Sequence, residues 1–273
     1  MVRVVFLGDI HVGSNYAVFP PNWTNPESGN IVNANEFQRK LYEYWCRYAE
    51  ELRPDILILM GDIIEGPQTR EKFGTLTILN IQHQIDAALK LIQVWKWKEL
   101  YVIRGTDYHV AERGMHAEEI IARELGAVKS SKWGDRYSSI DLALEVEDVA
   151  IHVAHHVGVS TVPHYQFTPI VREGWLYKLY DQYHGRFNLI VRGHVHYCRI
   201  AEVSDEFIIA TTPCWQLPTP YQKKKSSFIL PDLGVLLCDI NGNELVVKKR
   251  IIRDPKFKPH RIRSDVKNEV ATQ

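Results

Sequence analysis

Short apolar runs separated by longer helix-periodic stretches organise the first two thirds of the chain. VRVVFL at residues 2–7 is apolar almost throughout and rich in β-branched residues, the pattern of a strand covered on both faces. DILILM at 55–60, LYVIR at 100–104, VAIHVA at 149–154 and NLIVR at 188–192 repeat it. Between these runs, residues 34–53 set Phe37, Leu41, Tyr44, Tyr48 and Leu52 at helical spacing, and Pro54 stops that helix. Residues 80–98 predict a second amphipathic helix through Ile81, Ile85, Ala88, Leu89, Ile92 and Trp95. A short helix is expected over 115–125, closed by Gly126, and another over 169–184. Residues 137–155 predict two strands joined near Glu147-Asp148. From 199 onward strands dominate: EFIIAT, SSFIL, GVLLCDI and ELVVKKRII, with Asn241-Gly242 marking a hairpin between the last two. The expected organisation is one α/β domain over 1–255 and a basic tail over 256–273 that is poor in apolar residues.

Polar chemistry collects where the apolar runs stop. The first run delivers Gly8-Asp9-Ile10-His11, the second Gly61-Asp62 with Glu65 close behind, and the third Gly105-Thr106-Asp107-Tyr108-His109. The fourth delivers His155-His156 and the fifth Gly193-His194-Val195-His196. Imidazole and carboxylate together suit borderline divalent ions. Open α/β sheets bind ligands at the carboxyl ends of their strands. A lone Asp after glycine is an ordinary turn residue; five strand ends carrying ligand-type residues are a different matter.

Taken in order, D-x-H, GDxx(D/E), a G-led polar loop, a strand-end His and GHxH resemble the calcineurin-like metallophosphoesterase superfamily, over residues 4–196. The resemblance implies a four-layer α/β/β/α sandwich, two mixed sheets flanked by helices. It also implies a binuclear-metal-dependent phosphoester hydrolase that uses a metal-bridging hydroxide. The metals would be two divalent ions, manganese first, with iron, zinc, nickel or magnesium as alternatives. The ligands implied are Asp9, His11, Asp62, His155, His194 and His196, with Asp62 bridging and Glu65 orienting a ligand imidazole. His155 and His156 point to opposite faces of their strand, and the resemblance favours His155.

The third phrase departs from the family, whose usual form is GNH followed by an acid. Thr106 stands where Asn is expected and Asp107 where His is expected. One reading makes Asp107 a metal ligand and His109 the catalytic acid. The other keeps Thr106 in the place of Asn and leaves Asp107 facing solvent. Arg104 and Arg192 each precede a site glycine, where an arginine either clamps phosphate or covers the sheet.

Composition narrows the substrate less than the motifs narrow the chemistry. Hydrophobic residues make up 45% of the 273-residue chain and charged residues 24%, with a net charge of zero, so no global field recruits a polyanion. From Gln222 onward, however, 12 basic residues face six acidic ones. Lys223-Lys224-Lys225 and KKRIIR at 248–253 suit phosphate contacts, and Tyr16, Phe19 and Trp23 suit base stacking. These features put DNA or RNA first among phosphoester substrates. A small-molecule or protein phosphatase or phosphodiesterase, and a scaffold that has lost catalysis, are the alternatives. Four cysteines without C-x-x-C spacing, and no apolar stretch of membrane-spanning length, set the expectation of a soluble cytoplasmic protein without a membrane partner.

Overall fold

The computed structural model describes residues 1–68, 74–112, 115–130, 135–160, 162–225 and 230–254. The tail at 256–273 and most of the SSFIL run lie outside them. Two sheets hold the chain together. The first contains β1 (Val2–Leu7), β2 (Ile56–Leu59), β3 (Glu99–Ile103), β4 (Ser138–Ser139), β10 (Gly234–Asn241) and β11 (Glu244–Ile251). The second contains β5 (Asp141–Val146), β6 (Val149–Ala154), β7 (Leu189–Arg192), β8 (Ile200–Ser204) and β9 (Phe207–Thr211). Their orders are β11-β10-β1-β2-β3-β4 and β8-β9-β7-β6-β5. In the first sheet β1 to β4 run parallel and β10 lies antiparallel between β1 and β11; in the second β6, β7 and β9 run parallel between antiparallel edges. Both sheets are therefore mixed.

Alternation along the strands builds the layers. Val4, Phe6, Ile58, Met60 and Ile103 point toward Ile151, Val153, Leu189 and Val191 of the other sheet, and together they form the central core. Val5, Leu7, Leu57 and Leu59 point the other way, onto α1 (Glu36–Leu52), α2 (Ile81–Ile92) and α3 (Ala117–Glu124). Ile190 and Ile209, on the far face of the second sheet, meet Ile170 of α4 (Phe167–Leu179). Helix, sheet, sheet, helix is the four-layer sandwich expected. The longer parallel strands are largely apolar on both sides because both of their faces are covered.

Local chemistry places the boundaries. Asn35 caps α1 through a capping box with Gln38, and Asn80 caps α2 by accepting from the amides of Gln82 and His83. Helix α1 buries Leu41, Trp45, Tyr48 and Leu52, while Phe37 is 47% exposed; the buried stripe thus runs through Trp45, one position off the expected face. Trp45 meets Trp215 edge-to-face at 4.8 Å, a contact that contributes about 1 kcal/mol beyond area burial. Helix α2 ends at Ile92, and Trp95 is buried in the turn that follows. The chain crosses between sheets at Ile140, between β4 and β5. Phe19 and Trp23 are buried at 0% and 3% exposure. The loop after His11 therefore packs its aromatic rings inward and does not offer those two for stacking.

Candidate metal centre

All parallel strands end on one side of the sandwich, and the residues just past their ends build the site. Asp9 and His11 come after β1, Asp62 after β2, Thr106 after β3, His155 after β6, and His194 and His196 after β7. The backbone there is held in an uncommon shape. Asp9, His11, Asp62, His194 and His196 all have positive φ, between 49° and 70°. Left-handed conformations disfavour residues with a Cβ, and strain of this kind persists only where surrounding structure over-determines it. The sheets supply that constraint. The amides of Asp9 and His11 donate to the carbonyls of Gly61 and Asp62 at 3.1 and 2.9 Å, locking the first two turns together. Glycines allow the close approach. A Cβ at Gly61 would lie 2.6 Å from His155 Nδ1, and one at Gly105 would lie 2.1 Å from Asp62 Oδ1.

Three groups of donor atoms result among the described residues: Asp9–His11–His196 and Asp62–His155–His194 at the strand ends, and His11–Glu65–His109 beside the first. In the first, His11 Nε2 lies 3.2 Å from His196 Nε2, and His196 Nε2 lies 3.3 Å from Asp9 Oδ1. In the second, His155 Nε2 lies 3.2 Å from Asp62 Oδ2, while its Nδ1 faces the Met60 carbonyl at 2.6 Å. That backbone contact turns Nε2 inward, the way outer partners orient ligand imidazoles. His155 Nε2 is nevertheless buried without a hydrogen bond. A nitrogen and a carboxylate oxygen this close, yet not aligned on each other, share a third point as their target.

Electrostatics gives the same picture. Asp9 and Asp62 are 0% and 2% exposed, and buried carboxylates need positive charge nearby. Burial alone would lower the His155 imidazole, yet the carboxylates of Asp62 and Asp9 hold it up at about 10. His194 goes the other way, down to about 4, through burial and the neighbouring His155. Two buried carboxylates among four imidazoles match the donor chemistry of borderline divalent ions. The residues present fit a pair of such metals.

A cleft of about 530 Å³ opens over these groups; Asp62, Thr106, His109, His194, His196 and Tyr221 are among its walls. His109 turns Nδ1 to the Glu65 carbonyl at 2.7 Å and packs edge-on against His11 at 4.7 Å between ring centroids. Burial, and then the neighbouring His11, lower its pKa. The Thr106 amide and hydroxyl donate to Asp62 Oδ1 at 2.7 and 3.0 Å. Asp107 is exposed at the start of a single helical turn, outside all three groups of donor atoms. His156 is exposed, whereas His155 is 1% exposed.

The arrangement decides the question of kind. It is a four-layer sandwich with buried carboxylates and imidazoles at the strand ends, the fold that the resemblance to the calcineurin-like metallophosphoesterases implies. No family profile matches the sequence, and no curated protein is similar to it. Solved structures are similar in fold at low identity. A wild-type Vps29 from Entamoeba histolytica in complex with zinc is 13% identical, with a TM-score of 0.46 over 92% of this chain and 98% of that one. A dimetal phosphatase from Danio rerio is 11% identical, with a TM-score of 0.47 over 92% and 96%. An archaeal phosphodiesterase is 10% identical, with a TM-score of 0.42 over 91% and 100%.

Around the donor atoms lie Glu65, expected from the sequence, and two groups that motif reading does not reach, Gln216 and Glu118. Glu65 Oε2 sits 2.8 Å from His11 Nδ1 and accepts from Gln216 Nε2 at 2.8 Å. Gln216 comes from the segment after β9, and nothing in its surroundings in sequence marks it. Glu118, in the first turn of α3, is fully buried and accepts from the amides of Gly105 at 2.6 Å and Ile63 at 3.3 Å. It ties the second and third loops together from beneath. Burial, with Asp62 nearby, raises its pKa to about 8. In sequence it is one of two adjacent acids at a helix start, and only burial separates it from Glu119.

Both arginines that precede site glycines are covering residues. Arg192 is 1% exposed and bonds Glu173 at 2.6 Å on the far face of the second sheet. Arg104 bonds Ser138 Oγ at 3.0 Å and reaches Glu119.

Proposed function

We propose that this chain hydrolyses phosphoesters with two divalent metal ions, and that its substrates are phosphodiesters. The observation that carries the proposal is the pair of buried donor groups, one around each of the Asp9 and Asp62 carboxylates, under an open cleft. Asp9, His11 and His196 would hold one ion, and Asp62, His155 and His194 the other, with Asp62 placed to serve both. Bound there, the ions supply Lewis acidity and a strong nucleophile at neutral pH.

The chain's own residues do the rest. Thr106 fixes the Asp62 carboxylate through its amide and hydroxyl, which gives it the place of the family's Asn and leaves Asp107 at the surface. Glu65 fixes the His11 ring. His109, with Nδ1 committed to a backbone carbonyl, presents Nε2 to the cleft as the proton donor for the leaving oxygen. Its lowered pKa makes the imidazolium a stronger acid and also leaves less of it protonated at neutral pH. Turnover of bis-para-nitrophenyl phosphate and of the monoester analogue by manganese-loaded protein tests the proposal. Faster hydrolysis of the diester supports it. Absence of turnover with manganese, iron, zinc, nickel and magnesium alike would leave a catalytically silent scaffold.

A second reading, cleavage of DNA or RNA, rests on one placement. Tyr221 and Gln222 line the cleft, and the next residues, Lys223 and Lys224, are exposed on the same short helix. The other basic run supports this reading less. Lys248 bonds Asp239 at 2.8 Å and Lys249 reaches the Cys198 carbonyl at 3.4 Å, both from the edge strand β11, where lysines guard against strand pairing.

A further inference from the structure

Helix α4 is apolar on two opposite faces. Its inner face, with Ile170 and Gly174 buried, lies on the second sheet so closely that a Cβ at Gly174 would meet Val203 at 2.8 Å. Its outer face and the turn after it carry Trp175, Leu176, Leu179, Tyr180 and Tyr183, which are 47, 48, 66, 49 and 76% exposed. The outer face of α1 is polar, carrying Glu36, Arg39, Glu43, Arg47 and Glu50, as a surface helix requires. A helix that is hydrophobic all round belongs in a core or an interface.

The size of the stripe fits an interface. With aromatic side chains of roughly 150–250 Å² each, its five residues offer on the order of 600 Å², the upper end of what a monomer leaves uncovered. That is about three quarters of the ~800 Å² that each partner contributes to a specific complex of standard size.

The order of residues indicates what covers it. Read outward from the midpoint between Tyr177 and Lys178, the stripe is nearly its own mirror: Leu176 with Leu179, Trp175 with Tyr180, Arg172 with Tyr183. In an antiparallel pair of such helices, Leu176 meets the partner's Leu179 and Trp175 meets the partner's Tyr180. A surface complementary to itself under a two-fold axis makes an isologous dimer. We propose that the outer face of α4 is a homodimer interface, with a second copy of this chain as its occupant.

The proposal does not depend on the phosphodiesterase reading. Sedimentation velocity and light scattering on the full chain, from submicromolar to tens of micromolar, test it. The expected result is a closed dimer whose population rises with concentration. Leu176→Glu combined with Leu179→Glu should weaken association at least 100-fold, leaving the melting transition cooperative and the hydrolysis of a small diester unchanged. Tyr183→Ala should weaken it less and serves as the second variant if the double substitution impairs folding. A wild-type chain that stays monomeric throughout, forms open-ended polymers, or dimerises equally well with both sets of substitutions would overturn the proposal.

Discussion

At the scale of the residue, Asp62 is the position on which the centre turns. Its carboxylate receives the Thr106 amide and hydroxyl on one side and faces His155 on the other. Asp62→Asn removes the charge that is proposed to serve both ions. The expected outcome is loss of activity and weaker binding of both metals by more than about 10-fold, measured by metal content and calorimetry; two metals per chain with normal turnover would refute the shared role. His109 can be separated from the ligands. His109→Ala should lower the rate by roughly 100- to 10,000-fold with metal content unchanged, and a substrate with a good leaving group should lose less. The donor residues that the structure brings together are legible in the sequence because each stands just past the end of an apolar run. Thr106 against Asp107 is not, since a strand end fixes where a loop begins but not which of two neighbouring residues turns inward. Gln216 and Glu118 are invisible there for a related reason: an amide and a surface-type acid acquire their meaning only from burial.

At the scale of the element, close packing between loops is what makes the centre compact. Gly105 has no room for a side chain, because a Cβ there would lie 2.1 Å from Asp62 Oδ1 and 2.2 Å from the Asp62 amide. Gly105→Ala should cost about 1–3 kcal/mol by overpacking and should displace the Asp62 carboxylate. Thermal melting and metal content together check this; an unchanged metal content would show that the loop yields elsewhere. The other side of the first sheet is tied by charge. Asp239 on β10 accepts from Arg3 on β1 at 2.7 Å and from Lys248 on β11 at 2.8 Å. The Arg3 bond, opposed by burial and assisted by Lys248, lowers the Asp239 carboxyl below its ordinary 3.8. A depressed carboxyl stabilises the fold above its unfolded value and loses that contribution as pH falls through the folded one. Asp239→Asn should therefore melt below the wild type at neutral pH, with the gap closing below about pH 4. A gap that persisted in acid would assign the effect to packing. Strands and helices are legible from period alone. The buried stripe of α1 lies one position from the face that period selects, because Phe37 and Trp45 are equally apolar on paper and only contact with Trp215 distinguishes them.

At the scale of the whole molecule, the question is how the cleft meets a large substrate. If polynucleotide is cleaved, the exposed Lys223 and Lys224 beside the cleft should contribute counterion release, each phosphate contact adding about −0.7 to −0.9 to the log–log salt slope. Replacing Lys223, Lys224 and Lys225 together by alanine should flatten that slope and leave turnover of a small diester alone. Strong hydrolysis of small diesters without salt-sensitive polynucleotide binding would remove the nuclease reading. The order of elements gives covered strands, since strands apolar on both faces must lie between other layers, but the four-layer architecture comes from the family resemblance. The aromatic loop after His11 has the composition of a stacking platform and is not one. Its Phe19 and Trp23 complete the core instead, and composition cannot tell a ring that waits for a ligand from one that fills a gap.

The five left-handed turns carry a consequence for how such a chain changes over generations. Each holds an aspartate or histidine where the backbone would accept glycine at no steric cost. Each therefore withholds something on the order of 1 kcal/mol from the fold. Random substitutions that relieve that tension improve robustness and destroy the ability to gather metals. Selection for heat resistance alone would therefore erode Asp9, His11, Asp62, His194 and His196 ahead of the core strands that present them. Holding all five side chains in these turns gives up some durability for the donor groups they present.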